Sequence, residues 1–156
     1  MKLYNTLSKQ VEELKPMKPG KVNLFVCGPT VFDSSHIGHA KTYTQFDILA
    51  RTLRYFGLEV NYLQNITDID DKIIARAREK NIEWNQLVEQ YEAKYKEDMA
   101  ILGNDSVNTY ARATDYIEDI KRQVKALMDK GHAYLIEGDG IYFEITTFKD
   151  YGKLSG

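Results

Sequence analysis

The sequence predicts an α/β protein built on a parallel βαβ unit, and three observations carry that expectation. Val22 to Val26 is an apolar, β-branched run with the length of a buried parallel strand. A longer stretch with helical period follows: Phe46, Leu49, Leu53 and Phe56 recur at spacings of three and four, while Lys41, Asp47, Arg51 and Arg54 lie off that stripe. Gly57 then marks a helix stop, and Val60-Asn61-Tyr62-Leu63 reads as the second strand.

Residues 3–14 form a polar leader, expected to be a short strand and turn, closed off by Pro16 and Pro19-Gly20. The first core strand spans 22–27 and Gly28-Pro29 breaks it; Asp33, Ser34 and Ser35 are all candidate N-caps for the helix over about 36–56. The block Asn65-Ile66-Thr67-Asp68-Ile69-Asp70-Asp71-Lys72 follows the second strand. Thr67 or Asp68 would cap the next helix there, with Asp70 and Asp71 favouring its dipole. The three Asp residues could instead hold a divalent cation, but they lack the spacing of a calcium loop. From Ile73 to Gly131 the chain is expected to be mostly helical. One stripe (Leu87, Tyr91, Tyr95, Met99) ends at Gly103-Asn104-Asp105, and another (Tyr116, Ile120, Val124, Leu127, Met128) ends at Lys130-Gly131. The aromatic residues in these stripes read as core. Residues 133–136 and 141–145 flank Glu137-Gly138-Asp139-Gly140 as a hairpin, and His132 before it reads as structural.

With 156 residues the chain is long enough for one domain with a real core. Its net charge of −2 shows no global basic excess, which argues against a strongly electrostatic RNA binder and leaves room for a local patch. A single cysteine excludes an intrachain disulfide and fits a reducing compartment. No apolar run approaches the roughly 20 residues of a membrane span, and the start lacks the apolar core of a signal peptide. The cytoplasm is the expected location.

The strand end, loop and helix start from Cys27 to His39 concentrate the chemistry. Strand, short loop and helix N-terminus together form the usual cradle for an anion, because free backbone N–H groups and the positive end of the dipole face it. His36 and His39 fall three residues apart on one face of the first turn. Gly38 between them leaves the surface bare, so that a flat ring or a phosphate can approach the backbone. Each residue has a plainer reading. Cys27 can be a small buried hydrophobe, a metal ligand, or a nucleophile paired with His36. The two histidines can be capping or surface groups.

His36-Ile37-Gly38-His39 is the unaltered signature of the class I aminoacyl-tRNA synthetases, which the chain resembles. The flanking Cys27-Gly28-Pro29-Thr30-Val31-Phe32-Asp33 and the block 65–72 resemble the cysteinyl-tRNA synthetase family in particular. The resemblance runs from Leu3-Tyr4-Asn5-Thr6 to Asp150-Tyr151-Gly152-Lys153-Leu154-Ser155-Gly156, and three co-linear blocks at fixed spacing make it specific.

The resemblance implies an α/β fold: the first half of a Rossmann-type nucleotide-binding domain with a helical extension (residues 1–131), then the start of an inserted domain (132–156). It implies activation of L-cysteine by ATP with Mg to cysteinyl-adenylate and transfer to tRNA(Cys). His36 and His39 would contact the phosphates as catalytic groups. Cys27 would hold zinc, with the remaining ligands outside this chain, and the zinc would bind the substrate thiolate, rejecting serine. Gly28, Pro29 and Thr30 would shape the pocket floor, Gly38 would admit the nucleotide, and Thr42 would reach the substrate end. Asn65, Ile66 and Thr67 would line the adenylate pocket. The chain is expected to be an N-terminal portion with an incomplete catalytic constellation, inactive alone. Two alternatives stay open: a cysteine ligase of mycothiol synthesis, which forms the same adenylate, and a non-catalytic nucleotide-binding module. No oligomeric state follows from the sequence.

Overall fold

A computed structural model describes residues 1–155; Gly156, the last residue of the 150–156 block, lies outside the described residues. In chain order the elements are β1 (Lys2–Asn5), β2 (Gln10–Glu13), β3 (Lys21–Val26), α1 (Ile37–Tyr55), β4 (Glu59–Ile66), α2 (Asp71–Lys80), α3 (Trp84–Ile101), β5 (Thr109–Arg112), α4 (Ile117–Asp129), β6 (Ala133–Ile136) and β7 (Gly140–Phe143). They fall into two compact units: Pro16–Asp115, and Met1–Lys15 with the chain from Tyr116 onward.

The Pro16–Asp115 unit is a three-stranded parallel sheet in the order β3-β4-β5, with α1 connecting the first pair and α2 and α3 the second. Central β4 alternates strictly: Val60, Tyr62, Gln64 and Ile66 are buried, and their neighbours are not. The core combines these with Val26, Val31, Leu53, Ile73, Leu87, Tyr95 and Met99. Helix α1 ends at Tyr55 with Phe56 as its cap, and Gly57 just beyond takes the left-handed φ of +82° that suits the residue terminating a helix.

Several expectations change at this level. β3 is not a fully buried strand: Val26 is buried but Phe25 is 64% exposed, because β3 lies at an edge of the sheet and side chains alternate between two faces. β4 is longer than residues 60–63 and takes in Asn65 and Ile66, which belong to the strand rather than following it. Residues 109–112, expected within a helical region, form β5 parallel to β4. Thr-Tyr-Ala-Arg carries no apolar run, so nothing local marked it as a strand; pairing with β4 makes it one. The leader is a complete antiparallel hairpin, β1 with β2.

The α1 stripe also turns. Tyr43, Asp47, Ala50 and Leu53 form its buried face, while Phe56 is exposed. Asp47 faces the protein because it accepts the Ser106 backbone N–H at 2.8 Å and pairs with Arg51 at 2.5 Å. Arg51 also reaches the Gly103 carbonyl and Asp105, so a charged residue anchors the α3–β5 connection to α1. The α3 stripe of Leu87, Tyr91, Tyr95 and Met99 is buried as expected.

In the other unit, α4 leads into the antiparallel hairpin β6–β7, in register from Ala133 opposite Phe143. His132 joins it through Nδ1 and the Thr147 hydroxyl at 2.8 Å, a structural contact. None of the described residues of this unit is fully buried.

Candidate active site

The β3–β4 ladder runs in register to Val26 opposite Gln64, and a parallel bridge resumes at Thr30 opposite Thr67. The chain takes four steps on the β3 side against three on the β4 side, so one extra residue is held between Cys27 and Pro29, as in a β-bulge. Side-chain bonds replace the missing ladder. Asn65 Oδ1 accepts the Gly28 N–H at 2.9 Å and Asn65 Nδ2 donates to Thr67 Oγ1 at 3.3 Å. Pro29 accepts from the Thr67 N–H, and the Val31 N–H donates back to the Thr67 carbonyl. Cys27, Gly28, Pro29, Thr30, Asn65 and Thr67 are thereby brought together at the carboxyl ends of adjacent parallel strands, where open α/β sheets bind ligands.

Gly28 is required by close packing. A Cβ there would stand 1.7 Å from the Asn65 carbonyl oxygen. Ile66 is completely buried, so its side chain belongs to the core and reaches no open surface. Cys27 is exposed at the strand end, with its Sγ 3.9 Å from the Gly28 carbonyl. Among the described residues it makes no hydrogen bond to either histidine, so no Cys27–His36 nucleophilic pair is formed.

The loop from Val31 to His36 is tied back by Arg76, which pairs with Asp33 at 3.1 Å, and by Lys72, which lies 5.8 Å from the centre of the Phe32 ring. Asp33, Ser34 and Ser35 precede the helix cap; the cap itself is His36. Its Nδ1 accepts the Gly38 N–H at 3.0 Å, and His39 Nδ1 accepts the His36 N–H at 3.3 Å. This is a capping box made of two imidazoles instead of a hydroxyl and a carboxylate. The rings stack with centroids 4.0 Å apart. A Cβ on Gly38 would lie 2.8 Å from His36 Cε1, so the flat ring that Gly38 admits is the chain's own.

The cap assigns the chemistry of both rings. A ring nitrogen that accepts carries no proton, so each neutral imidazole holds its proton on Nε2. Burial, then the neighbouring His36, lowers the His39 pKa below its ordinary 6.5, which keeps His39 neutral at pH 7. Two Nε2–H donors therefore stand at a helix N-terminus with their other nitrogens already committed. Thr42 is exposed one turn beyond His39.

The acidic block 65–72 separates. Asp70 caps α2 by accepting the Lys72 N–H at 2.8 Å, replacing the expected Thr67 or Asp68. Asp68 is buried and accepts from both the Thr114 N–H and its hydroxyl. Its sequence position gave no sign of this, since Thr114 is 46 residues away. Among the described residues no group of three or more His, Cys, Asp or Glu could hold a metal ion. Cys27 alone supplies one donor where zinc takes at least three. Among the described residues, no helix is long and apolar enough to cross a membrane.

A parallel sheet that presents a strand-end cradle beside a helix starting His-Ile-Gly-His is the architecture of a class I aminoacyl-tRNA synthetase domain. Methionyl-tRNA synthetase of Mycobacterium tuberculosis, solved with methionyl-adenylate, superposes with a TM-score of 0.66 at 21% identity, covering 72% of this chain and 23% of that one. A LeuRS of Agrobacterium radiobacter, solved with tRNA and LeuAMS, superposes with a TM-score of 0.65 at 23% identity over 77% of this chain and 16% of that one. Residues 13–156 match the model of the tRNA synthetases class I (C) catalytic domain, and the chain belongs to that family. Its relatives include the cysteine–tRNA ligases of Thermoplasma volcanium (54% identical over 99% of this chain) and Pyrococcus abyssi (49% over 100%). The chain spans about a third of their length: 34% and 32% respectively.

Proposed function

We propose that this chain forms one side of the active site of a cysteine–tRNA ligase, acting in the cytoplasm. The protein would activate L-cysteine with ATP and Mg and transfer it to tRNA(Cys). The observation that carries the reading is the paired-imidazole cap, which leaves two Nε2–H donors at the positive end of α1. In the first step the cysteine carboxylate attacks the α-phosphorus and pyrophosphate leaves. Charge grows on the phosphate oxygens, and donors fixed before the reaction stabilise it without reorganising. His36 and His39 supply those donors, and the positive end of the α1 dipole adds to them. In the second step a terminal ribose hydroxyl of the tRNA attacks the adenylate carbonyl, the bond from that carbon to the phosphate oxygen breaks, AMP leaves, and the hydroxyl proton is released.

Gly28, Pro29 and Thr30 form the floor on which the adenylate lies, Asn65 and Thr67 hold that floor by the bonds described, and Ile66 supports it from the core. Gly38 serves the nucleotide site by leaving room for the His36 ring that caps the helix, and Thr42 stands on the exposed side toward the substrate. Zinc, when bound, would polarise the substrate sulfur and select thiolate over hydroxyl. Cys27 would be one ligand and the other donors would come from outside this chain. The described residues do not make a zinc site alone. Residues 1–131 would be the catalytic half and 132–156 the start of an inserted domain.

The test is ATP–pyrophosphate exchange by the complete polypeptide that carries this segment. Exchange should depend on cysteine, ignore serine, and fall by roughly 10²-fold in His36→Ala or His39→Ala, the scale of losing one oxyanion donor. Exchange that runs equally with serine, or that survives both substitutions, would reject the proposal.

A further inference from the structure

We infer that Tyr43 is a positioning residue that serves Cys27 and His39 at once, an inference that rests on the function just proposed. The Tyr43 hydroxyl donates to the Cys27 carbonyl at 3.4 Å. That carbonyl lies just past the last in-register pair, Val26 with Gln64, where the extra residue interrupts the ladder. Four residues along α1 from His39, the Tyr43 ring lies almost parallel to the imidazole, at 6° and 6.2 Å between centres. One side chain therefore spans from the strand end to the helix start, bonded to the backbone of Cys27 and stacked alongside the His39 ring.

The side chain is itself held. Tyr43 is 6% exposed, and Tyr95 meets its ring edge-on at 5.4 Å and 74°. The Tyr95 hydroxyl donates to Gln64 Oε1 at 2.7 Å, which fixes the pair to the fully buried centre of β4. A cavity of about 10 Å³ borders Tyr43, Gln64, Tyr95 and Asn104, too small for a ring to swing into.

The two contacts separate chemically. The hydroxyl sets the Cys27 end, which faces the amino acid, and the ring sets the imidazole, which faces the phosphates. In the complete polypeptide, Tyr43→Phe should raise KM for cysteine by about fivefold, the worth of one neutral hydrogen bond. KM for ATP and kcat should stay within about twofold of wild type. Tyr43→Leu should add a fall in kcat of roughly tenfold or more, because a misplaced catalytic group is costly. Hydrogen exchange over residues 26–30 should quicken in both variants, and the His39 titration should shift only in Tyr43→Leu. These two readouts do not need turnover. If wild type shows no cysteine-dependent exchange, the proposed function fails, and the positioning role is decided by amide exchange and the His39 titration alone. A Tyr43→Phe protein that matches wild type in cysteine KM and in exchange at 26–30 overturns the inference. So does a loss of both KM values and kcat that merely follows the loss of thermal stability.

Discussion

At the scale of the residue, the two glycines of the site are fixed by different neighbours and should respond differently. At Gly28 an added methyl meets the Asn65 backbone at 1.7 Å, and backbone in a central strand cannot step aside. Gly28→Ala should cost about 3 kcal/mol or more in urea unfolding. At Gly38 the methyl meets only the His36 ring. Replacing a helical glycine gains up to about 1 kcal/mol, and losing the imidazole cap costs about the same. Gly38→Ala should therefore leave stability within about 1 kcal/mol while the His36 ring signals in NMR move away from Gly38. His39 offers a pH test. Its folded pKa lies below the unfolded value, so the unfolded chain takes up the proton first as pH falls. The His39 contribution to stability is complete above 6.5 and is lost as pH drops below it. Urea unfolding at pH 7.5 and 5.5 should show that slope, reduced in His39→Ala. A His39 midpoint above 6.5 would contradict the imidazole cap.

At the scale of the element, the sequence was most informative where one periodicity decided the outcome. α3 is legible from Leu87, Tyr91, Tyr95 and Met99, and the βαβ unit from two apolar runs around a helix. Legibility stops where partners distant in sequence decide. β5 exists because Leu63 to Ile66 offers it an edge, and four residues of mixed character cannot announce that. α1 rotated for a similar reason: Asp47 reads as solvent-facing until Ser106, 59 residues away, gives it a buried partner. In the site, the composition was legible and the wiring was not. Nothing in the order His36-Ile37-Gly38-His39 says that the two rings cap the helix through each other. The Asp47 anchor can be measured. Burial pushes its carboxyl up, but Arg51 and the Ser106 bonds outweigh that and hold it below its ordinary 3.8. Its contribution is thus present above 3.8 and is lost as pH falls through the folded value. Asp47→Ala should cost about 2–3 kcal/mol, since it strands a buried N–H, and Asp47→Asn should cost less. Equal stability of Asp47→Ala and wild type would show that the α3–β5 connection holds α1 by other means.

At the scale of the whole molecule, stability should be uneven. β4 has four buried side chains and partners on both edges, whereas the described residues of the unit containing α4 and β6–β7 include none that is fully buried and leave Leu135 62% exposed. Native-state hydrogen exchange should be slowest in β4 and on the order of 10²-fold faster in β6–β7, as expected for a segment that opens locally. Comparable protection in both would refute that ranking. Catalysis should be limited in the same chain-wide sense. On the function proposed above, the 156 residues alone should carry out cysteine-dependent exchange near the limit of detection, because the donors of His36 and His39 would act on the phosphates from one side. Purified chain should also hold well under one zinc, since Cys27 is a single donor.

The extra residue between Cys27 and Pro29 sets folding and function against each other. Removing Gly28 would bring Thr30 opposite Thr67 into the same register as Val26 opposite Gln64, giving continuous pairing broken only by the N–H that Pro29 lacks. As a piece of sheet, that shorter chain is the simpler solution. It would also straighten the strand end on which Cys27 is presented and remove the N–H that Asn65 holds. The extra residue thus costs the sheet one regular step, and what that step gives in exchange is a strand end set apart from the ladder.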